Sequence, residues 1–440
     1  MNWLSKYDRN IQSPFHDRCR RNYRLLLESE HWTRRDMREY QLKRLQQTYS
    51  YSKKYVPLYR ERYKEYGDHL ESWEDFLTLP FLSRQEAAER NPDLHGVNPP
   101  FGASPIPGSA TSGSSGAKVS IQSTDVGEAM RIATALREFE WMELDPRVPS
   151  LFIRSIAKPG DANYEKLKSG IKITSEGRDA LMSMYHTKDK FLIDTSAPPD
   201  VLAKFIDAAK PEYILCFPSA LRAAIPFLNS NHHVRWIKTI GETLDASTRK
   251  VFESTFVSTV YDSYSCQELN SIAFSRNPDN YLRIHEENVL VEIVDEGGNE
   301  ADSGRVLLTS LHPAITPFIR YDIGDLATLA DSKTNALRQI AHIDGRVFSQ
   351  IRNSEGNLVS DSPLFVALHS LEGYVAIQLI QHSIHKFELL IQGSSVDLNM
   401  VRRYMEHYLT WAKEIKLTQV DNIPKTTGGK LLRYRWLGVD

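Results

Sequence analysis

Five stretches of this chain hold residue types that can grip a polyanion or place a charge beside one. In Ala110-Thr111-Ser112-Gly113-Ser114-Ser115-Gly116-Ala117-Lys118 the glycines let backbone N–H groups approach an anion closely. The hydroxyls of Thr111, Ser112, Ser114 and Ser115 add donors, and Lys118 adds a positive charge. The residue order is not GxxxxGK[ST], so this is not the Walker loop. Gly241-Glu242-Thr243-Leu244 follows the strand-like run VRWIKTI, at the kind of strand end where α/β folds place ligands. Tyr264-Ser265-Cys266-Gln267-Glu268 follows the next strand-like run and offers an aromatic face beside a carboxylate. Arg320-Tyr321-Asp322-Ile323-Gly324-Asp325-Leu326 puts an acid after a tight glycine turn, a setting suited to sugar hydroxyls. Near the C-terminus, Pro424-Lys425-Thr426-Thr427-Gly428-Gly429-Lys430-Leu431-Leu432-Arg433 places Lys430 on a glycine turn.

Each stretch also has a plain structural reading. Gly/Ser tracts are commonly linkers. A Gly-Glu pair at a strand end is commonly a turn with a solvated acid. Tyr264 can simply pack, Glu268 can cap a helix, Asp325 can hold a turn, and Lys430 can be one exposed lysine in a basic tail. The chemical readings gain from company: all five occur in this order in one chain.

The elements that must position these residues are legible in outline. The first 90 or so residues read as helical, with Tyr23, Leu26, Leu27, Leu42 and Leu45 at three- and four-residue steps. Ser83 and Glu86 form a capping-box pattern for a further helix. Asp125 and Glu128 are expected to cap a long helix running to about Leu144. Apolar strand-like runs then alternate with helical ones, which predicts a parallel sheet with helices on its faces. After about residue 280 the pattern turns antiparallel, with two strand runs around Gly297-Gly298. From about 346 a small terminal domain begins, where VAIQLIQ and KFELLIQ alternate as strands before a helix.

Composition narrows the function classes. The chain has 440 residues, 41% hydrophobic and 25% charged, which suits two or three globular domains and excludes wholesale disorder. Its 54 basic and 56 acidic residues give a net charge of -2, so no global field favours nucleic acid or an anionic membrane. The basic residues of the N-terminal helices are interleaved with acidic ones and read as a solvated face. Three unevenly spaced cysteines argue against a disulfide scaffold and for a reducing compartment. The N-terminus lacks the apolar stretch of a secretory signal, and no run is fit to span a bilayer, so a cytoplasmic protein is expected.

The ordered motifs resemble those of the adenylate-forming superfamily, which holds acyl-CoA synthetases, peptide-synthetase adenylation domains and luciferases. Within it the chain is most similar to the phenylacetate–CoA ligase-like branch, which includes capsule-biosynthesis ligases. The terminal P-K-T-x-x-G-K-x-x-R run is complete, R-Y-x-x-G-D-L also matches, and KKYVPLYRERY with WEDFLTLPFLSRQE is typical of this branch. The resemblance covers about residue 40 to the end. It implies an α/β fold: a large N-terminal domain with mixed parallel sheets and a β-barrel part, and a small C-terminal α+β lid. The corresponding divisions are 1–90, a helical part of the large domain; 91–345, the ATP- and carboxylate-binding core; and 346–440, a mobile lid.

The same resemblance implies roles for particular residues. Thr111, Ser112, Gly113, Ser114, Ser115, Gly116 and Lys118 would hold the β- and γ-phosphates of ATP. Gly241, Glu242 and Thr243 would line the adenine, with Tyr264 stacking on it. Glu268 would help bind Mg²⁺, Asp325 would hold the ribose hydroxyls, and Arg346 would sit beside the ribose at a hinge. Lys430 would reach the substrate carboxylate and the α-phosphate. Phe217, Pro218 and Ser219, with Tyr264 and Ser265, would lie near the acyl pocket. The implied reaction joins a small carboxylic acid to AMP, releases pyrophosphate, and passes the acyl group to coenzyme A. An amine or a carrier-protein thiol as acceptor, or adenylylation of a small-molecule hydroxyl, are the alternatives, and a homodimer is common in the branch.

Two departures stand out. The residue after Tyr264 is Ser265, where the family has glycine, which changes the floor of the acyl pocket. The hinge reads Gly345-Arg346-Val347-Phe348-Ser349 and lacks the family's following acid. Cys266 with His285 or His312 is a weak zinc pattern, since zinc sites take four ligands or three plus water.

Overall fold

The computed structural model describes residues 13–110, 119–155, 162–173, 189–229, 232–276, 281–330, 337–346, 351–359, 362–369, 371, 373–393, 395–424 and 431–438. The chain divides into two compact units. One comprises Met1–Arg147, Ser175–Thr187 and Ser263–Ile343; the other comprises Val148–Thr174, Lys188–Asp262 and Asp344–Asp440. The fold is mixed α/β, with parallel and antiparallel pairing, helices, and a small C-terminal α+β region.

The first unit opens on the expected helices, Pro14–Ser29 and Arg34–Tyr55. Tyr23 and Leu26 of the first helix pack with Ala129, Ile132, Ala133 and Leu136 of the helix Asp125–Trp141. That long helix is capped by Thr124, whose hydroxyl accepts the Gly127 N–H, so the cap lies one residue before the acids that mark it in sequence. At Ser83 only half of the capping box forms. Ser83 Oγ accepts the Glu86 N–H at 3.1 Å, while the Glu86 carboxylate instead takes a 2.5 Å bond from Arg62.

The antiparallel strands of this unit include Val289–Val294, Ser303–Ser310 and Tyr321–Leu329, paired in that order. Asn270–Ser275 pairs with the end of Thr259–Cys266 on one side and with Leu282–Ile284 on the other. The short strand Leu82–Ser83 lies parallel to the start of Tyr321–Leu329. Aliphatic residues of these strands pack in one core with Tyr49, Tyr59 and Phe76 from helices and Tyr63 from the turn that follows one of them. A polar cluster is buried beside it. Arg137, fully buried, donates to both oxygens of Glu287 at 2.7 and 3.0 Å and to Nδ1 of His285 at 2.7 Å. His285 therefore carries its proton on Nε2 and donates it to Glu138 at 3.1 Å.

In the second unit Trp236–Ile240, Tyr213–Cys216, Ser150–Arg154 and Lys190–Asp194 form a parallel sheet in that order, with Ile171–Ile173 antiparallel at its edge. Helices Pro199–Ala209, Pro218–Ala224 and Ala246–Phe256 alternate with these strands and supply apolar side chains to its core. The C-terminal region has a core of its own. It is a four-stranded sheet in the order Glu414–Val420, Lys386–Gln392, Ala376–Ser383, Tyr434–Trp436, covered by the helices Ser362–His369 and Leu398–Tyr408. Among the described residues no helix is long and apolar enough to cross a membrane.

Candidate functional site

The parallel sheet of the second unit brings two of the singled-out stretches together. Tyr213–Cys216 and Trp236–Ile240 are neighbours, so Phe217-Pro218-Ser219 and Gly241-Glu242 leave the sheet side by side at its carboxyl edge. Gly241 has φ 75°, and a Cβ there would stand 2.2 Å from the Phe217 ring, so both backbone and space demand glycine. The Glu242 carboxylate accepts the Ser219 N–H and hydroxyl, each at 2.9 Å, which ties down the first turn of Pro218–Ala224. It also accepts the backbone N–H of Leu431 at 2.8 Å, the residue directly after Lys430. Thr243 is exposed. Beside this edge Thr239 donates to Asp262 at 2.7 Å, a pair that no motif signalled.

The antiparallel part of the first unit positions Tyr264, Glu268 and Asp325. Asp325 does not follow a turn, as the sequence suggested. It lies inside the strand Tyr321–Leu329, at an irregularity where register shifts between Arg305 opposite Leu326 and Leu307 opposite Asp322. Gly324 supplies the φ of 77° that such a bulge needs, and its N–H donates to Asp322 Oδ1 at 2.9 Å. The bulge sets Asp325 where the Tyr264 hydroxyl donates to its Oδ2 at 2.8 Å.

Glu268 sits in the turn between Thr259–Cys266 and Asn270–Ser275. Its side chain is 2% exposed, and its Oε1 accepts bonds from Arg84 Nη1 at 3.2 Å and from the Tyr321 hydroxyl at 2.9 Å. Burial pushes the Tyr321 phenol far above its ordinary value, and the neighbouring carboxylate adds to this. The sequence assigns no role to Arg84 or Tyr321, although Tyr321 belongs to the R-Y-x-x-G-D-L run. Arg84 follows the helix-start serine of LPFLSRQE, which is the one local hint, but its partner is 184 positions away. Ser265 lies opposite Ser271 on the adjacent strand.

Arg320, which opens the R-Y-x-x-G-D-L run, is a buried anchor. Its guanidinium donates to Glu292 at 2.9 Å and to the Leu79 carbonyl at 2.8 Å, from a left-handed backbone at φ 46°. Cys266 is half-buried, and its sulfur accepts the Leu269 N–H at 3.3 Å. Burial, then the Glu268 charge, push its thiol well above the ordinary range. His285 is held by Arg137 and Glu138, and His312 bonds the Glu287 carbonyl at 2.8 Å. Among the described residues no three His, Cys, Asp or Glu side chains gather as a metal cluster.

Thr111, Ser112, Gly113, Ser114, Ser115, Gly116, Lys118 and Lys430 lie outside the described residues. The strands flanking the first of these runs, Pro105–Ala110 and Ser120–Thr124, pair antiparallel with Ala110 opposite Ser120. The two ends of the run are thus held together, which a linker between separate bodies would not require. Arg346 ends the strand Gln339–Arg346.

No protein-family model matches the sequence, and no curated protein matches it. Solved structures do share the fold. A 2-hydroxyisobutyryl-CoA ligase in the postadenylation state, in complex with 2-HIB-AMP, aligns with a TM-score of 0.70 at 18% identity, over 90% of this chain and 88% of that one. An anthranilate CoA ligase in complex with anthranoyl-AMP gives 0.54 at 16% identity, over 74% and 65%. The amide bond synthetase McbA from Marinactinospora thermotolerans gives 0.50 at 15% identity, over 74% and 67%. The chain has the fold of the adenylate-forming CoA ligases.

Proposed function

We propose that this chain is an AMP-forming ligase that activates a small carboxylic acid with ATP and transfers the acyl group to coenzyme A. The observation that carries this reading is the Tyr264–Asp325 pair, held by a strand bulge in the same unit as Glu268. Asp325 is acceptor-only when ionised, the chemistry that ribose hydroxyls require, and the Tyr264 side chain that donates to it is half-buried. Arg346 would stand beside the ribose. Gly241, Glu242 and Thr243 would meet the adenine chiefly through backbone, because the Glu242 carboxylate is engaged by Ser219 and Leu431.

The residues at Glu268 fit one carboxylate ligand of a magnesium ion. Mg²⁺ is usually bound through one or two carboxylates together with substrate phosphates, and Glu268 Oε2 accepts no hydrogen bond from any described residue. Bound with the nucleotide, Mg²⁺ supplies charge compensation at phosphate oxygens. The run from Thr111 to Lys118 would cradle the same phosphates with N–H and hydroxyl donors.

In the first half-reaction the substrate carboxylate oxygen attacks the α-phosphorus, and the bond to the β-phosphate oxygen breaks, releasing pyrophosphate. The nucleophile is already ionised, so no general base is needed. Lys430 would offset the repulsion between the two anions and the charge that builds in the transition state. In the second half-reaction a thiolate attacks the acyl carbon and AMP leaves.

We further infer divisions at 1–90, 91–345 and 346–440, with the last as a lid that changes place between the half-reactions, a homodimeric assembly, and a cytoplasmic setting. An amine acceptor is the second reading. It is favoured by the missing acid after Arg346, which alters the hinge, and by an amide bond synthetase among structures of this fold. The test is product analysis by mass spectrometry, with each candidate acid supplied together with ATP, coenzyme A and a pool of amines. An acyl-CoA product supports the leading reading, an amide supports the second, and AMP joined to a hydroxyl overturns both.

A further inference from the structure

Three segments distant in sequence meet on one oxygen of Glu268. Leu82 and Ser83 pair with Tyr321 and Asp322, and the Leu82 N–H donates to the Arg320 carbonyl at 3.0 Å. Ser83 then caps the helix that begins with Arg84. This local structure delivers Arg84 Nη1 and the Tyr321 hydroxyl to the same atom, Glu268 Oε1, and neither reaches Oε2.

Two facts say that the arrangement does more than fill space. Among the described residues the Arg84 guanidinium makes a single bond, and its buried Nε has no partner there, a costly use of an arginine unless its carboxylate contact matters. The last torsion of a glutamate side chain is broad, so an unrestrained carboxylate swings its oxygens through a wide arc. Two donors on one oxygen remove that freedom and leave the other oxygen in one place.

We propose that Arg84 and Tyr321 are positioning residues for the magnesium–nucleotide complex, turning Glu268 Oε1 into the protein and presenting Oε2 to the cation. This rests on Glu268 being the magnesium carboxylate. Arg84 and Tyr321 themselves touch neither cation nor nucleotide.

The test is calorimetric titration of the full chain with α,β-methylene-ATP, with magnesium and with chelator, for wild type, Arg84→Met, Tyr321→Phe, Glu268→Gln and the Arg84→Met/Glu268→Gln double variant. Circular dichroism checks that each is folded, and Tyr321→Phe, which deletes one hydroxyl, decides the matter should Arg84→Met fail to fold. Metal-free binding is expected to stay within about twofold in every variant. The tightening that magnesium gives the wild type should fall about tenfold or more in Glu268→Gln and in Arg84→Met, and about threefold in Tyr321→Phe. The double variant should lose no more than Glu268→Gln alone, because Arg84 acts through Glu268. Full tightening in Arg84→Met and Tyr321→Phe, with loss in Glu268→Gln, overturns the proposal and leaves the role of Glu268 standing. Weakened metal-free binding in Arg84→Met, or losses that multiply in the double variant, overturn it too. Full tightening in Glu268→Gln overturns the magnesium reading and the proposal with it.

Discussion

At Gly241 one missing methyl group decides how the strand end meets Phe217. Gly241→Ala combines a positive φ with a Cβ 2.2 Å from the ring, and should destabilise the chain by about 1–3 kcal/mol in urea unfolding. A change under a few tenths would mean that the loop relaxes freely. Arg320 decides as much in the antiparallel part of the first unit. Arg320→Met leaves Glu292 buried without its guanidinium partner, and should cost about 3–5 kcal/mol in the same measurement. Residue types with local signatures, such as the glycines, Tyr264 and Asp325, were legible in sequence because their neighbours reveal them. Arg84, Tyr321 and the Arg137–Glu287 pair were not, since each partner is supplied by a distant segment.

Elements carry information of a different kind. Period and caps revealed several of the helices and strands, but the helix Ala246–Phe256 escaped them and Gly324 read as a turn where the chain makes a bulge. A glycine with positive φ serves either, and only the partner strand, with Arg305 and Leu307 on it, decides which. The box at Ser83 failed for a similar reason: Arg62, from another helix, claims the Glu86 carboxylate. In the C-terminal sheet Glu388 joins adjacent strands, accepting from Lys416 at 2.8 Å, Thr418 at 2.6 Å and His382 at 3.0 Å. Lys416 first, then Thr418, hold its carboxyl down to about 2 against an ordinary 4.5. The folded value lies below the unfolded one, so the stabilisation is complete above about 4.5 and fades as the pH falls toward about 2. The difference in unfolding free energy between wild type and Glu388→Gln should therefore shrink through that window; a pH-independent difference would refute the cause assigned.

At the scale of the whole molecule, the order of five motifs along the chain carried more than any one of them. The fold followed from that order, and solved structures bear it out at 18% identity or below. What the order could not reveal is how two compact units are assembled from interleaved segments, because contact between distant segments leaves no local trace. In the proposed reaction the chain adenylates a carboxylic acid, with Lys430 supplying the essential charge. ATP–pyrophosphate exchange tests it most directly, run with Mg²⁺ and a panel of aromatic, fatty and amino acids on wild type and Lys430→Ala. Exchange should depend on one class of acid and fall by about a hundredfold or more in Lys430→Ala. Exchange that survives intact in Lys430→Ala, or none from folded wild-type protein across the panel, would contradict it.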